Sequence, residues 1–152
     1  MIRTALICAA AACLAAPSLA AQEPGDDRTL VWSDEFNQAE LDRTKWGVIG
    51  TDFWVNNEQQ AYVDDPAVLS IVDGVSGADG GALMLRPVFE PGEDPHPERK
   101  ADFLSGRVES QDKYEFTYGR AEARIKMPDA DGVWPAFWLL GNDAWPGTGE
   151  ID

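Results

Sequence analysis

The stretch Y-G-R-A-E-A-R-I-K-M at residues 118–127 indicates the fold class, because charged and apolar side chains alternate along it. The charged residues are Arg120, Glu122, Arg124 and Lys126. The residues that alternate with them are Ala121, Ala123, Ile125 and Met127. Successive side chains of a β-strand point to opposite faces of its sheet. The alternation therefore predicts a half-buried strand with a charged outer face. The whole strand is predicted to cover residues 114–127 and to pair as a hairpin with residues 105–111.

Other segments also have the pattern of short strands separated by turns. Residues 133–140 are apolar nearly throughout, which predicts a strand buried on both faces. Three further strands are predicted at residues 30–32, 68–72 and 82–89, with a turn at Asp73-Gly74 and an edge or bulge at Pro87. No amphipathic helix of normal length is present in the pattern. The sequence thus predicts an all-β sandwich or jelly roll.

The first 21 residues have the layout of a secretory signal peptide. Arg3 precedes an apolar run of about 12 residues, too short to span a membrane, and small residues then lead to a cut after Ala20 or Ala21. The open alternative is a lipid-anchored start at Cys13. We expect residues 22–28 to be a flexible leader and the mature protein to be secreted or periplasmic.

The charge of the chain limits the classes of partner. The chain carries 12 Lys and Arg against 27 Asp and Glu, and removal of Arg3 leaves 11 against 27, a net charge of −16. This balance disfavours nucleic acids and anionic membranes, which are polyanions. A neutral polymer is the favoured partner, and solubility alone is the simpler explanation of the charge. Both cysteines lie in the predicted signal peptide, so the mature chain has no disulfide.

The E-x-D sequence at residues 150–152 is the strongest candidate for chemistry. On a strand, Glu150 and Asp152 face the same side, about 7 Å apart. A pair of like charges on one face is costly unless it has a use, such as one acid acting as a nucleophile while the other shares a proton. Taken alone, the pair is also consistent with two surface acids on an ordinary strand.

The surrounding motifs resemble glycoside hydrolase family 16, and within it the laminarinase-like members. The resemblance runs from about Leu30 to Asp152. Six motifs occur in the family's order: S-D-E-F at 33–36, N-N-E at 56–58, S-G-R at 105–107, Y-G-R-x-E-x-R-I-K at 118–126, W-P-A-F-W at 134–138 and G-E-I-D at 149–152.

This resemblance implies a fold and a mechanism. The expected fold is a β-jelly roll, a concanavalin-like sandwich of two curved antiparallel sheets with a glycan groove on the concave face. Residues 29–152 would be the N-terminal portion of the catalytic domain, incomplete on its C-terminal side. Glu150 matches the catalytic nucleophile and Asp152 the assisting acid. The acid/base glutamate is expected about three positions after Asp152, so the chain by itself is expected to be inactive.

The aromatic residues of these motifs are candidates for sugar contacts, because the C–H faces of pyranose rings pack on indoles. Trp134, Trp138 and Trp145 are predicted to form the groove floor, with core packing as the alternative for each. On a strand, Trp134 and Trp138 share a face and therefore an environment. Further substrate contacts are predicted at Trp54, Asn56 and Arg107, where a turn cap for the asparagine and a surface charge for the arginine are the alternatives.

The predicted activity needs no cofactor. Some family members bind a structural calcium ion, for which Glu35 is the local match, with a surface ion pair as the alternative. A monomer is expected. The first functional hypothesis is retaining hydrolysis of β-1,3-glucan. The alternatives are a non-catalytic β-glucan-binding protein on the same fold, and a hydrolase of mixed-linkage β-glucan or algal galactan.

Overall fold

A computed structural model describes residues 27–92 and 101–152. The predicted signal peptide lies outside the described residues, as does most of the predicted leader. The chain divides into two compact units, Met1–Trp32 and Ser33–Asp152. In the first unit the described residues, 27–32, have no regular secondary structure, so the strand predicted at residues 30–32 is wrong. Trp32 is half-buried there and residues 27–31 are exposed.

The second unit is built from short strands, and no helix occurs in the part of the chain that the structure describes. The all-β class is therefore confirmed, in agreement with a jelly-roll fold. The strands are β1 (Gly47–Val48), β2 (Gln60–Tyr62), β3 (Leu69–Asp73), β4 (Gly81–Leu85), β5 (Val88–Phe89), β6 (Phe103–Ser105), β7 (Val108–Glu109), β8 (Leu139–Leu140) and β9 (Glu150–Ile151).

These strands form four small sheets. β1 pairs antiparallel with β7, β3 with β4, and β8 with β9. The remaining sheet has the order β2-β6-β5, in which β2 runs parallel to β6 and β5 antiparallel to it. The β3–β4 hairpin is the longest ladder, with Ile71 opposite Leu83 at its centre. It confirms the strand predicted at residues 68–72. The strand predicted at residues 82–89 is divided into β4 and β5, and the interruption at residues 86–87 agrees with the predicted effect of Pro87.

The hydrophobic core centres on three buried side chains, Leu41, Val68 and Leu69. Partly buried side chains pack around them: Phe36, Trp46, Val48, Val63, Leu83, Val88, Leu104 and Val108. These residues come from the segment before β1, from the segment between β2 and β3, and from β1, β3, β4, β5, β6 and β7. Residues 33–92 and 101–109 therefore form the packed part of the unit.

The S-D-E-F segment is held in this core by Asp34, whose side chain is only 2 % exposed. Its Oδ2 accepts a 2.8 Å hydrogen bond from the Trp46 indole, and its Oδ1 accepts one of 3.0 Å from the backbone N–H of Phe36. The rings of Phe36 and Trp46 stack with centroids 5.9 Å apart. A buried carboxylate is tolerated because these donors replace its water. Asp34 is thus a structural residue of the motif.

Residues 115–137 differ from the prediction, since all of them are exposed and none is in a strand. The strand predicted at residues 114–127 and the doubly buried strand at residues 133–140 are both wrong, apart from the two residues of β8. The reason is pairing: β7 pairs with β1 and not with residues 114–127. A strand is stable only where its backbone N–H and C=O groups meet a neighbouring strand, so alternation of side chains alone does not create one.

Candidate active site

Glu150 lies on a hairpin that presents it to solvent. It occupies β9 opposite Leu140 of β8, and both Glu150 and its strand neighbour Ile151 are exposed. The loop between the two strands is closed by a 3.1 Å hydrogen bond from the backbone N–H of Gly141 to the carbonyl of Gly149. A Cβ on Gly141 would meet the Thr148 hydroxyl at 2.3 Å, so only glycine permits this close approach. The hairpin thus gives the Glu150 carboxylate a defined place at the surface.

Trp145 orients that carboxylate. Its indole Nε1–H donates a 2.7 Å hydrogen bond to Glu150 Oε2, while its own side chain is 68 % exposed. A hydrogen bond to an ionised acceptor is short and directional, so it selects one rotamer of the glutamate. The structure thereby brings together two residues that the sequence analysis had assigned to separate roles. The indole–carboxylate contact was missed, because sequence spacing does not show how the loop folds back.

Asp152 follows β9 directly and is exposed. The regular strand ends at Ile151, so the ladder pairs Glu150 and Ile151 and leaves Asp152 outside it. The two carboxylates are therefore two positions apart at the end of one strand. Extended backbone geometry continued through Asp152 would place both on the same side.

Arg107 lies at the centre of a second group of motif residues. Its guanidinium carbon is 4.2 Å from the centroid of the Phe53 ring and 4.8 Å from that of Trp138. Its Nη2 lies 3.7 Å from Glu109 Oε2, and its side chain is 16 % exposed. Trp138 immediately precedes β8, the strand that pairs with Glu150. The arginine is a partly buried stacked group, and the alternative of a simple surface charge does not describe it.

The N-N-E segment forms a tight loop tied at its base. Asn56 and Asn57 are exposed and have φ angles of 56° and 54°. This left-handed conformation is one that asparagine adopts more easily than most residues. The Trp54 indole donates a 2.9 Å hydrogen bond to the carbonyl of Glu58, which closes the loop. The Asn56 side chain is therefore displayed at the tip.

The Glu58 side chain links this loop to the sheet. Glu58 Oε2 accepts a 3.1 Å hydrogen bond from the hydroxyl of the buried Tyr62, and Gln60 Nε2 donates to the same hydroxyl at 3.2 Å. The Tyr62 ring also lies 6.1 Å from that of Phe53. Glu58 therefore contacts β2 through Tyr62, and the loop is anchored from both of its ends.

The stability of the fold at alkaline pH is expected to depend on the ionisation of Tyr62. Burial raises the pKa of its hydroxyl above the ordinary value of 10.0, and the negative charge of Glu58 adds to the rise. A group whose pKa is higher in the folded state stabilises the fold fully below about pH 10 and loses that contribution as the pH rises through the folded pKa. The free energy of unfolding should therefore fall above about pH 10.

Denaturant titrations from pH 9 to pH 11 would measure this loss, and the Tyr62→Phe protein should lose less over the range. Tyr118→Phe is the matched control, because the Tyr118 side chain is 93 % exposed. It should follow the wild-type curve. Parallel curves for the wild type and Tyr62→Phe would contradict the assignment.

The predicted groove tryptophans differ in their environments. Trp134 is 75 % exposed, Trp145 is 68 % exposed and Trp54 is 40 % exposed. Trp138 is half-buried beneath Arg107. Trp134 and Trp138 were expected to share an environment, but residues 134–138 are not in a strand, so the two side chains are not held on one face.

Glu35, the predicted calcium ligand, is exposed. No group of three or more acidic, histidine or cysteine side chains converges within residues 27–92 and 101–152 in a way that would hold a metal ion. The described residues therefore do not assemble a calcium site around Glu35. In the same residues, no helix is long and apolar enough to cross a membrane.

Known proteins match this chain over the motifs described above. The family model "XgeA-like, catalytic GH16 domain" matches residues 93–152. Glucan endo-1,3-beta-glucosidase A1 of Niallia circulans is 34% identical over 138 residues, which cover 81% of this chain and 19% of that protein. Beta-glucanase of Rhodothermus marinus is 36% identical over 131 residues, which cover 81% of this chain and 42% of that protein.

A shorter match is to a protein whose name describes glucan binding. Beta-1,3-glucan-binding protein of Penaeus monodon is 44% identical over 52 residues, which cover 32% of this chain and 14% of that protein. No solved structure matches the chain significantly.

The described residues define an all-β protein with an exposed glutamate oriented by an indole on a surface hairpin. The family-model match and the β-glucanase relatives support the resemblance of the chain to laminarinase-like members of glycoside hydrolase family 16. The chain spans 19% and 42% of the lengths of the two glucanases given above.

Proposed function

We propose that the protein hydrolyses β-1,3-glucosidic bonds of a laminarin-type β-glucan by a retaining double displacement. The observation that carries the proposal is the exposed Glu150 carboxylate, held by the 2.7 Å hydrogen bond from Trp145 within the G-E-I-D motif. An oriented, solvent-facing carboxylate has the properties required of a nucleophile that must reach a sugar carbon.

The proposed reaction has two steps. Glu150 attacks the anomeric carbon from the face opposite the leaving sugar and forms a covalent glycosyl-enzyme ester. Water then hydrolyses the ester, so that two inversions retain the configuration. The proton for the leaving oxygen comes from a second glutamate, with the two carboxyl groups about 5–5.5 Å apart. We propose that this glutamate follows Asp152 in the full-length protein.

The exposed aromatic surface supports a sugar polymer as the substrate. Trp54, Trp134 and Trp145 present indole rings on which pyranose C–H faces can stack. Asn56 lies at an exposed loop tip, where its amide can exchange hydrogen bonds with hydroxyl groups. The net charge of −15 favours a neutral glucan over a sulfated galactan, since like charges repel. No cofactor takes part in this reaction, and a monomer suffices for it.

Asp152 is proposed to assist by adding a negative charge beside the reacting pair. Asp152→Asn removes that charge while keeping the size of the side chain. The expected result is an enzyme slowed roughly tenfold, because the assisting negative charge is lost. Initial rates on soluble β-1,3-glucan would measure the loss. A variant with an unchanged rate would mean that Asp152 has a structural role.

A second candidate function is glucan binding without hydrolysis. It is favoured by one observation, the match to the Penaeus monodon glucan-binding protein. The presence of both Glu150 and Asp152 favours the hydrolase, because a pure binding protein has no need of a nucleophile at the end of the hairpin.

Reducing-sugar release by the full-length protein separates the two candidates. Soluble β-1,3-glucan, mixed-linkage β-glucan and agarose would be tested in parallel. Release that is fastest from β-1,3-glucan supports the proposal. Retained binding to β-1,3-glucan with no release from any of the three polymers would support the binding protein.

We also propose that the protein is exported and acts in the periplasm or outside the cell, given the layout of residues 1–21. Mass spectrometry of the exported protein should find an N-terminus at Ala21 or Gln22. Retention of Met1 would contradict this.

A further inference from the structure

Arg107 was expected to donate hydrogen bonds to the substrate, but its surroundings indicate another role. Its guanidinium lies 4.2 Å from the Phe53 centroid and 4.8 Å from the Trp138 centroid, with two rings as its neighbours. From this geometry we infer that Arg107 is a positioning residue. By packing on the rings of Trp138 and Phe53, it holds Trp138 and the loop after Phe53 in the arrangement that binds glucan. The inference rests on the proposed function.

The planarity of the side chain is what makes this role specific to arginine. A guanidinium is flat, and each of its faces packs on an aromatic ring by cation–π attraction and dispersion. Lysine has the same charge as arginine, but its ammonium group is compact and has no flat face to pack on a ring. Glu109 Oε2 lies 3.7 Å from Nη2, so the two side chains form an ion pair. Both the charge and the plane of Arg107 are thus engaged within the protein.

The two rings belong to different substrate-facing segments. Phe53 directly precedes Trp54, whose indole closes the loop that displays Asn56. Trp138 directly precedes β8, which pairs with the strand carrying Glu150. Arg107 therefore connects the proposed sugar-contacting loop with the segment leading into the nucleophile hairpin. Because it covers one face of Trp138, at most one face of that indole is left for a pyranose.

The test compares two substitutions that separate planarity from charge. Arg107→Gln keeps a planar amide and loses the charge, whereas Arg107→Lys keeps the charge and loses the plane. A residue that stacks rings should be replaced better by glutamine, and a residue that donates to sugar hydroxyls through its charge should be replaced better by lysine. Arg43→Gln and Arg43→Lys are the matched controls, because Arg43 is exposed and pairs with Asp64 at 2.7 Å.

Steady-state kinetics of the full-length protein on a β-1,3-linked glucose hexasaccharide give the first readout. Arg107→Lys should raise KM by about tenfold, and Arg107→Gln by about threefold, with kcat within about threefold of wild type in both. Both Arg43 variants should keep the wild-type KM. A lysine variant closer to wild type than the glutamine variant would overturn the positioning role.

Tryptophan fluorescence gives a readout that needs no turnover. Loss of the stack should expose Trp138, so Arg107→Lys should increase acrylamide quenching, and the increase should disappear in the Trp138→Phe background. Unchanged quenching with an unchanged KM would overturn the inference while the proposed function stands. If the wild type releases no sugar, the proposed function fails. The positioning role is then decided by the quenching and by the Kd for soluble β-1,3-glucan, which Arg107→Lys should raise by about tenfold.

Discussion

Replacement of Glu150 by alanine should lower the kcat of the full-length protein on β-1,3-glucan by about 10⁴-fold. The covalent step has no other carboxylate at that position, and removal of a nucleophile in enzymes with covalent intermediates costs this order of magnitude. The loss corresponds to about 5 kcal/mol of transition-state stabilisation. Glucan binding should persist, because the exposed Trp54, Trp134 and Trp145 rings are untouched.

The measurement is reducing-sugar release together with a Kd for the soluble glucan. Glu90→Ala is the matched control, because Glu90 is exposed and its backbone N–H, which bonds the carbonyl of Asp102, is kept in alanine. Its kcat should equal that of the wild type. A Glu150→Ala enzyme with near-normal turnover would remove Glu150 from the role of nucleophile and with it the proposed mechanism.

Replacement of Gly81 by alanine should destabilise the fold by about 3 kcal/mol or more. A Cβ at this position would lie 1.8 Å from the backbone carbonyl oxygen of Phe36. The obstacle is backbone, so a side-chain rotation cannot relieve it. Phe36 itself is held by Asp34 at its N–H, and Gly81 N–H donates a 2.8 Å hydrogen bond to Asn37 Oδ1. The S-D-E-F segment must therefore move away from β4 to admit a methyl group.

Thermal unfolding of the full-length protein should show this as a fall in Tm of about 6 to 12 °C. Gly50→Ala is the control, since a Cβ there would meet nothing within 4 Å. It should change stability by less than about 1 kcal/mol, in the stabilising direction, because alanine restricts the unfolded chain. Equal Tm values for the two variants would show that the Phe36 backbone does not pack against β4 as described.

The sequence alone determined the class of the fold. Period-2 patterning, turn signals and the absence of helical periodicity predicted an all-β protein. The strand predicted at residues 68–72 was placed within one position, and the one predicted at 82–89 is present as β4 and β5. These segments were predictable because their apolar residues pack on the same core that their pattern implies. The resemblance to glycoside hydrolase family 16 could also be read from the order of the six motifs, since motif residues and spacing are properties of the chain itself.

The same patterning failed at residues 118–127, where alternation is clearest. Strand formation is decided by the neighbour that accepts the backbone hydrogen bonds, and β7 takes β1 as its partner. Sequence periodicity describes one strand's faces and contains no information about which segment lies beside it. The same limit explains residues 133–137, whose apolar run predicted burial but which are exposed.

The candidate site divides in the same way. Glu150, the tryptophans, Asn56 and Arg107 were identifiable from residue type and motif. The tertiary structure alone decided that Trp145 holds Glu150, that Trp138 and Trp134 have different environments, and that Arg107 lies over the rings of both Phe53 and Trp138. Those contacts join residues that are up to 54 positions apart, as Arg107 and Phe53 are. The sequence gives the identity of each residue. Which side chains come into contact depends on the conformation of the loops and on which strands pair.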